Sequence, residues 1–182
     1  MFFARYFLSL SLPFLALGAK RQSATDTFQL YAYGEGLGGL PVFNAGGDAY
    51  VGNPNSFNSS DAAEVIFNPT ENAWVGTPNA TATNGTAPNW SNVTFSVPGS
   101  SSGRVKFLDS NSSNSDYITA GFVFYGSTAM FTGNGELESL WYAEPQADGG
   151  AHALYWNTTS EGQIPVTLRR MAPSSPPPST EV

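Results

Sequence analysis

YITAGFVFYGSTAMFT, from Tyr117 to Thr132, decides how the rest of the chain is read. With a period of two, Ile118, Ala120, Phe122 and Phe124 point one way. Tyr117, Thr119, Gly121, Val123 and Tyr125 point the other. Both faces are largely apolar, which predicts a central strand buried on both sides. Gly126-Ser127 offers a turn, and Ala129, Met130 and Phe131 bring apolar chain back. Gly121 weakens such a strand unless its missing side chain makes room for something. The expected occupant is a ring from a facing strand, Trp141 or Trp156.

Outward from this segment, short alternating runs recur between turn residues. Phe28–Tyr33 reads as a first strand, and Leu40–Phe43 pairs with Ala49–Val51 as a hairpin. Strands are also expected at Ala62–Phe67, Ala73–Val75, Val93–Val97, Arg104–Leu108, Glu136–Ala143, Ala151–Asn157 and Gln163–Arg170. Between them lie polar, Pro- and Gly-containing loops, the longest from Thr77 to Asn92. No helical periodicity and no internal repeat stand out. Roughly ten short antiparallel strands imply an all-β fold, a β-sandwich or jelly roll over residues 22–171, with a barrel as the nearest alternative.

The first 21 residues read as a secretory leader. One cation near the start is followed by the apolar run Phe7–Leu17 and the small-residue step Ala16-Leu17-Gly18. The run is too short and wrongly flanked to span a membrane. Lys20-Arg21 resembles the dibasic site of the kexin-type processing proteases of fungi, whose cleavage would leave Gln22 first. Residues 172–182 are Pro- and Ser-rich, cannot bury apolar area, and are expected to be a disordered tail without a lipid-anchor signal.

Removing the leader takes three of the seven basic residues and none of the fourteen acids, so four cations face fourteen acids and the net charge moves from −7 to −10. Such a surface repels phosphate backbones and anionic lipid, which argues against nucleic acid and membranes as partners. Cysteine is absent, and a chain of this length can hold its fold by core packing alone. Acceptor triplets for N-glycosylation occur at Asn58, Asn79, Asn84, Asn89, Asn92, Asn111 and Asn157. Bulky Trp90 and the nearby Asn92 weigh against efficient use of Asn89.

Chemistry is sparse. Gly34–Gly39, GEGLGG, matches a dinucleotide-binding fingerprint in letters, but strand-like Leu40-Pro41-Val42-Phe43 follows where a helix is required. Glu136 and Glu138 share one face of a strand with Leu140 and Tyr142, the residue types of a glycoside hydrolase. Acids at a strand's start beside a Gly turn are more commonly just solvated. Glu35, Asp48, Glu64 and Asp148 carry no motif. His152, the single histidine, shares its face with Leu154 and Trp156, and no nucleophile elbow accompanies it. Zinc and copper are poorly supplied. Calcium could draw only on Asp48, Asp148 or nearby carbonyls, and no metal or cofactor is expected. Rings at Tyr31, Tyr33, Tyr50, Trp74, Trp141, Tyr142, Tyr155 and Trp156 could stack on sugars, though most must fill the core.

The chain resembles the small secreted proteins of filamentous fungi that have no assigned function. The resemblance rests on the leader with Lys20-Arg21, on FQLYAYGEGLGGLPVF (Phe28–Phe43), on GFVFYGSTAMF and on LWYAEP. It implies secretion and association with the cell wall, and carries no catalytic residues across. Three functions are in view: a non-enzymatic extracellular or wall glycoprotein with weak polysaccharide binding, a glycoside hydrolase using Glu136 and Glu138, and an effector-like interaction protein with an exposed apolar patch.

Overall fold

The protein is described by a computed structural model covering residues 26–174, apart from positions 72, 82–86, 100–102, 110–113, 134 and 148–149. The leader, most of the expected tail, Asn84, Asn111 and Asp148 lie outside the described residues.

Among the described residues the chain is all-β, with a single 3-10 turn at Pro54–Ser56. β1 (Tyr31–Gly34) turns through Glu35-Gly36 into β2 (Leu37–Ala45), and β3 (Asp48–Gly52) returns along β2. No helix opens at GEGLGG, because those glycines make a hairpin turn and the start of β2. β4 (Ala63–Pro69), β5 (Trp74–Pro78) and β6 (Val93–Pro98) pair in order. β7 (Gly103–Arg104) and β8 (Lys106–Asp109) are one passage interrupted at Val105. There the backbone N–H reaches the Leu154 carbonyl at 2.9 Å and the carbonyl accepts from Ala49 at 3.0 Å. β9 (Tyr117–Ile118), β10 (Phe122–Tyr125), β11 (Thr128–Gly133) and β12 (Glu136–Glu138) follow. β13 (Trp141–Pro145), β14 (Ala151–Trp156) and β15 (Ile164–Arg169) finish the order.

The sandwich or jelly-roll expectation is corrected by closure. The sheet runs β1-β2-β4-β5-β6-β8-β3-β14-β13-β15 and returns to β1, a ten-strand barrel with antiparallel pairing. The seam is four residue pairs long, from Tyr31↔Arg169 to Gly34↔Val166. Period-two alternation looks the same in a sandwich and in a barrel. What differs is whether the first and last strands meet, which removes both edges.

Ten strands enclose more space than eight, the number at which side chains just fill the interior. Two features take up that space. β2 also pairs with β3 across the ring, from Val42↔Val51 to Ala45↔Asp48. Large rings fill the rest: Phe67, Trp74, Phe95, Phe107, Trp141 and Trp156 are all buried in one cluster. Trp141 stands 4.5 Å from Trp156, edge to face, and its Nε1 donates to the Ala129 carbonyl at 3.1 Å. Edge-to-face pairs and a satisfied indole make so aromatic an interior stable.

The segment from Tyr117 to Thr132 is not the centre. β10 pairs only with β11 and ends the sheet order. Val123 is 38% exposed and Tyr125 73% exposed, so one face alone is buried. On that face Phe122 lies 5.1 Å from Phe95, and Phe124 lies 4.8 Å from both Phe28 and Trp74. The hairpin is an appended flap laid on the aromatic core. Gly121 precedes it at φ 94°, and a side chain there would meet Phe131 and Thr132 rather than Trp141 or Trp156. The strand expected over Glu136–Ala143 is two strands, because β12 pairs with β11 whereas β13 pairs with β14 and β15.

Candidate functional site

A concavity forms around the β2–β3 turn. Ala45 and Asp48 close a two-residue hairpin over Gly46 (φ 62°) and Gly47 (φ 87°). This pair of left-handed residues is the turn that matches strand twist, and glycine adopts it without strain. Asn44, 1% exposed, braces it by accepting the Gly47 N–H on Oδ1 at 3.0 Å. The Phe107 N–H donates to the Gly47 carbonyl at 2.8 Å and anchors the turn to β8.

Facing the turn is the polar loop before β6. The Trp90 indole Nε1 donates to the Asp61 carbonyl at 2.7 Å, and Asp61 Oδ1 accepts the Asn89 N–H at 3.1 Å. Trp90 packs part of its ring on the core and stays half-buried. Between turn and loop lies a cleft of about 230 Å³, lined by Asn44, the Gly46-Gly47 backbone, Asp61, Asn89, Trp90 and Asp109, with Val93 and Phe107 also on its wall. This is smaller than the roughly 300–1,000 Å³ of drug-sized sites, so it suits one small polar unit. Carboxylates and a carboxamide can take hydroxyl hydrogens, and an indole offers an apolar face.

Sequence reasoning missed this cleft. Trp90 was visible there only as a neighbour of an acceptor asparagine. Its signal was a lone tryptophan inside an otherwise polar, Asn-rich loop, an expensive residue to leave without a packing or binding role.

The expected site residues are scattered. Glu136 is exposed and Glu138 half-buried on β12, a three-residue strand with β11 as its partner, beside Leu137 at 51% exposure. Neither lines the cleft. His152 is half-buried on β14; burial lowers its pKa from 6.5, and its Nδ1 is buried without a hydrogen-bond partner. Asp48 faces Arg104 and Lys106 at 3.5 Å each. Arg104 is gripped by the Tyr50 and Tyr155 rings, 4.7 and 5.2 Å from their centroids. Burial lowers its pKa, but the Tyr50 and Tyr155 hydroxyls and Asp48 outweigh burial and the net shift is upward. Glu64 accepts from Gln29 at 2.9 Å and Asn79 at 3.3 Å, and Glu35 is exposed in the first turn. Among the described residues no group of three or more His, Cys, Asp or Glu could hold a metal ion.

Of the ring candidates, Trp74, Trp141 and Trp156 are core, at 4%, 1% and 4% exposure. Tyr31, Tyr33, Tyr50, Tyr142 and Tyr155 are half-buried. Tyr33 borders a second, shallower depression with Arg169 and Met171, and donates its hydroxyl to the Met171 carbonyl at 2.7 Å. Asn58, Asn89, Asn92 and Asn157 are exposed. Asn92 and Asn157 sit at φ 55° and 50°, a conformation that asparagine tolerates.

No protein-family model matches the chain, and no curated protein or solved structure matches it.

Proposed function

We propose that the protein is a non-enzymatic extracellular or cell-wall glycoprotein that binds carbohydrate weakly through the Trp90 cleft. The observation that carries this reading is the cleft's composition: an indole held in place by Asp61, two carboxylates, two asparagines and the Gly46-Gly47 backbone around one small hollow. Neutral sugar hydroxyls suit such a lining, whereas its acids repel phosphate or uronate. The small volume and largely polar wall favour weak rather than tight binding. The barrel's apolar interior and more polar exterior invert the pattern of a transmembrane barrel, which supports an aqueous location. The position of exposed Glu136 and half-buried Glu138 on the short strand β12, away from the cleft, lends no support to a hydrolase.

Retention of the secreted protein on glucan, chitin and mannan, against a denatured control, tests the reading. Binding to one of them that Trp90→Ala abolishes is the expected result. Equal retention of native, variant and denatured protein would remove it.

A second reading, an interaction protein, draws on a different surface. Among the described residues, Val123 and Tyr125 on β10 and Leu137 on β12 account for three of the four exposed large hydrophobics, and all lie on the outward side of the appended flap. Its partner would be a protein, and Tyr125→Ser with Leu137→Ser would abolish capture of that partner without touching sugar retention.

A further inference from the structure

We propose that glycosylation of Asn89 caps the Trp90 cleft, so that secreted protein divides into an open form and a self-capped form. This rests on the carbohydrate-binding reading of the cleft. Asn89 is at once the acceptor of Asn89-Trp90-Ser91 and an exposed residue of the cleft wall. Its backbone N–H is fixed by Asp61 Oδ1, and the next residue is the indole held by the same Asp61. A glycan on Asn89 therefore starts at the cleft's rim, where Asp61 holds both the Asn89 backbone N–H and the Trp90 side chain. Its first sugar carries hydroxyl and acetamido N–H donors and an apolar ring face. Those groups complement Asp61, Asp109 and the Trp90 ring in the way an external sugar would.

Tethering makes the competition one-sided. A ligand fixed at the rim acts at an effective concentration in the millimolar range or above, so even a weak cleft stays occupied by it. Free polysaccharide ends would then reach only chains that lack this glycan. The sequence itself favours a mixture of the two forms. Trp90 in the middle of the triplet and Asn92 three residues on both lower the efficiency of Asn89 as an acceptor.

The test uses full-length protein secreted with its leader from a glycosylating host. It is passed over insoluble glucan, chitin and mannan, and Asn89 occupancy is read by glycopeptide mass spectrometry in bound and unbound fractions. The Asn89 glycan should be depleted from the bound fraction. Ser91→Ala, which removes the acceptor but keeps the Asn89 side chain, should bind as a single population. Equal Asn89 occupancy in bound and unbound fractions overturns capping while leaving the cleft reading intact. Absence of any glycan at Asn89 also overturns it. If nothing binds any of the three polysaccharides, the external-ligand reading falls, and capping is judged separately by NMR. Contacts between the first sugar and the Trp90 indole protons sustain capping, and their absence rejects it.

Discussion

Trp90 and Asp61 are locked together across 29 residues of sequence, by an indole-to-carbonyl hydrogen bond of 2.7 Å. The bond joins the polar loop before β6 to the chain entering β4, and so sets the width of the cleft. Trp90→Phe keeps an aromatic ring but leaves the Asp61 carbonyl without this donor. It should cost about 1 kcal/mol of stability. Trp90→Ala also gives up ring burial and should cost about 1–3 kcal/mol. Urea midpoints at unchanged slope measure both, and only the alanine variant should lose polysaccharide retention completely.

Gly121 stands at φ 94°, where any added Cβ comes within 3.2 Å of Phe131 Cε2 and of the Thr132 carbonyl oxygen. An L-residue is strained there before contacts are considered. Gly121→Ala should therefore destabilise by about 1–2 kcal/mol, and Gly121→Leu by about 1–3 kcal/mol more through overpacking. An alanine variant as stable as wild type would mean that the backbone relaxes into ordinary strand geometry.

Trp141 is 1% exposed, and its Nε1 satisfies the Ala129 carbonyl. Trp141→Ala should cost about 3–5 kcal/mol, the usual range for emptying a large buried aromatic site. Trp141→Phe should be milder, losing the hydrogen bond and part of the contact with Trp156. Thermal melts of both variants, ordered in that way, check the assignment of this ring to the barrel's centre.

His152 gives stability a pH dependence of known sign. Burial depresses its folded pKa below 6.5, so the native state prefers the neutral ring and the unfolded chain takes up a proton first. The contribution is complete above pH 6.5 and is lost as pH falls below that value toward the folded pKa. Urea midpoints should decline over this window in wild type and decline less in His152→Gln. Parallel declines would assign the loss to carboxylates instead.

Much of the strand content is legible in the residues, because Val93, Phe95 and Val97 alternate cleanly and the Gly46-Gly47 turn dictates the pairing of Val42 with Val51. Closure is not legible: nothing local in Tyr31–Gly34 or Val166–Arg169 announces that they meet. The flap's place in the fold is not legible for a related reason. Val123 and Tyr125 look like core residues by type, yet composition cannot say that no layer covers them. The cleft was illegible because Asn44, Asp61, Trp90 and Asp109 come from four separate segments that only the barrel brings together.

The seam between β1 and β15 joins the first of the described strands to the last of them, with Tyr33 and Met171 bonded across 138 residues. A chain emerging N-terminus first makes β1 early and its seam partner much later. Until residues 164–169 arrive, β1 has one open edge able to pair with another chain. Contacts of such sequence separation are slow to form, since loop closure must precede them. The protein is thus committed to a waiting period set by the time taken to deliver β15, and its exposure to misassociation falls within that interval.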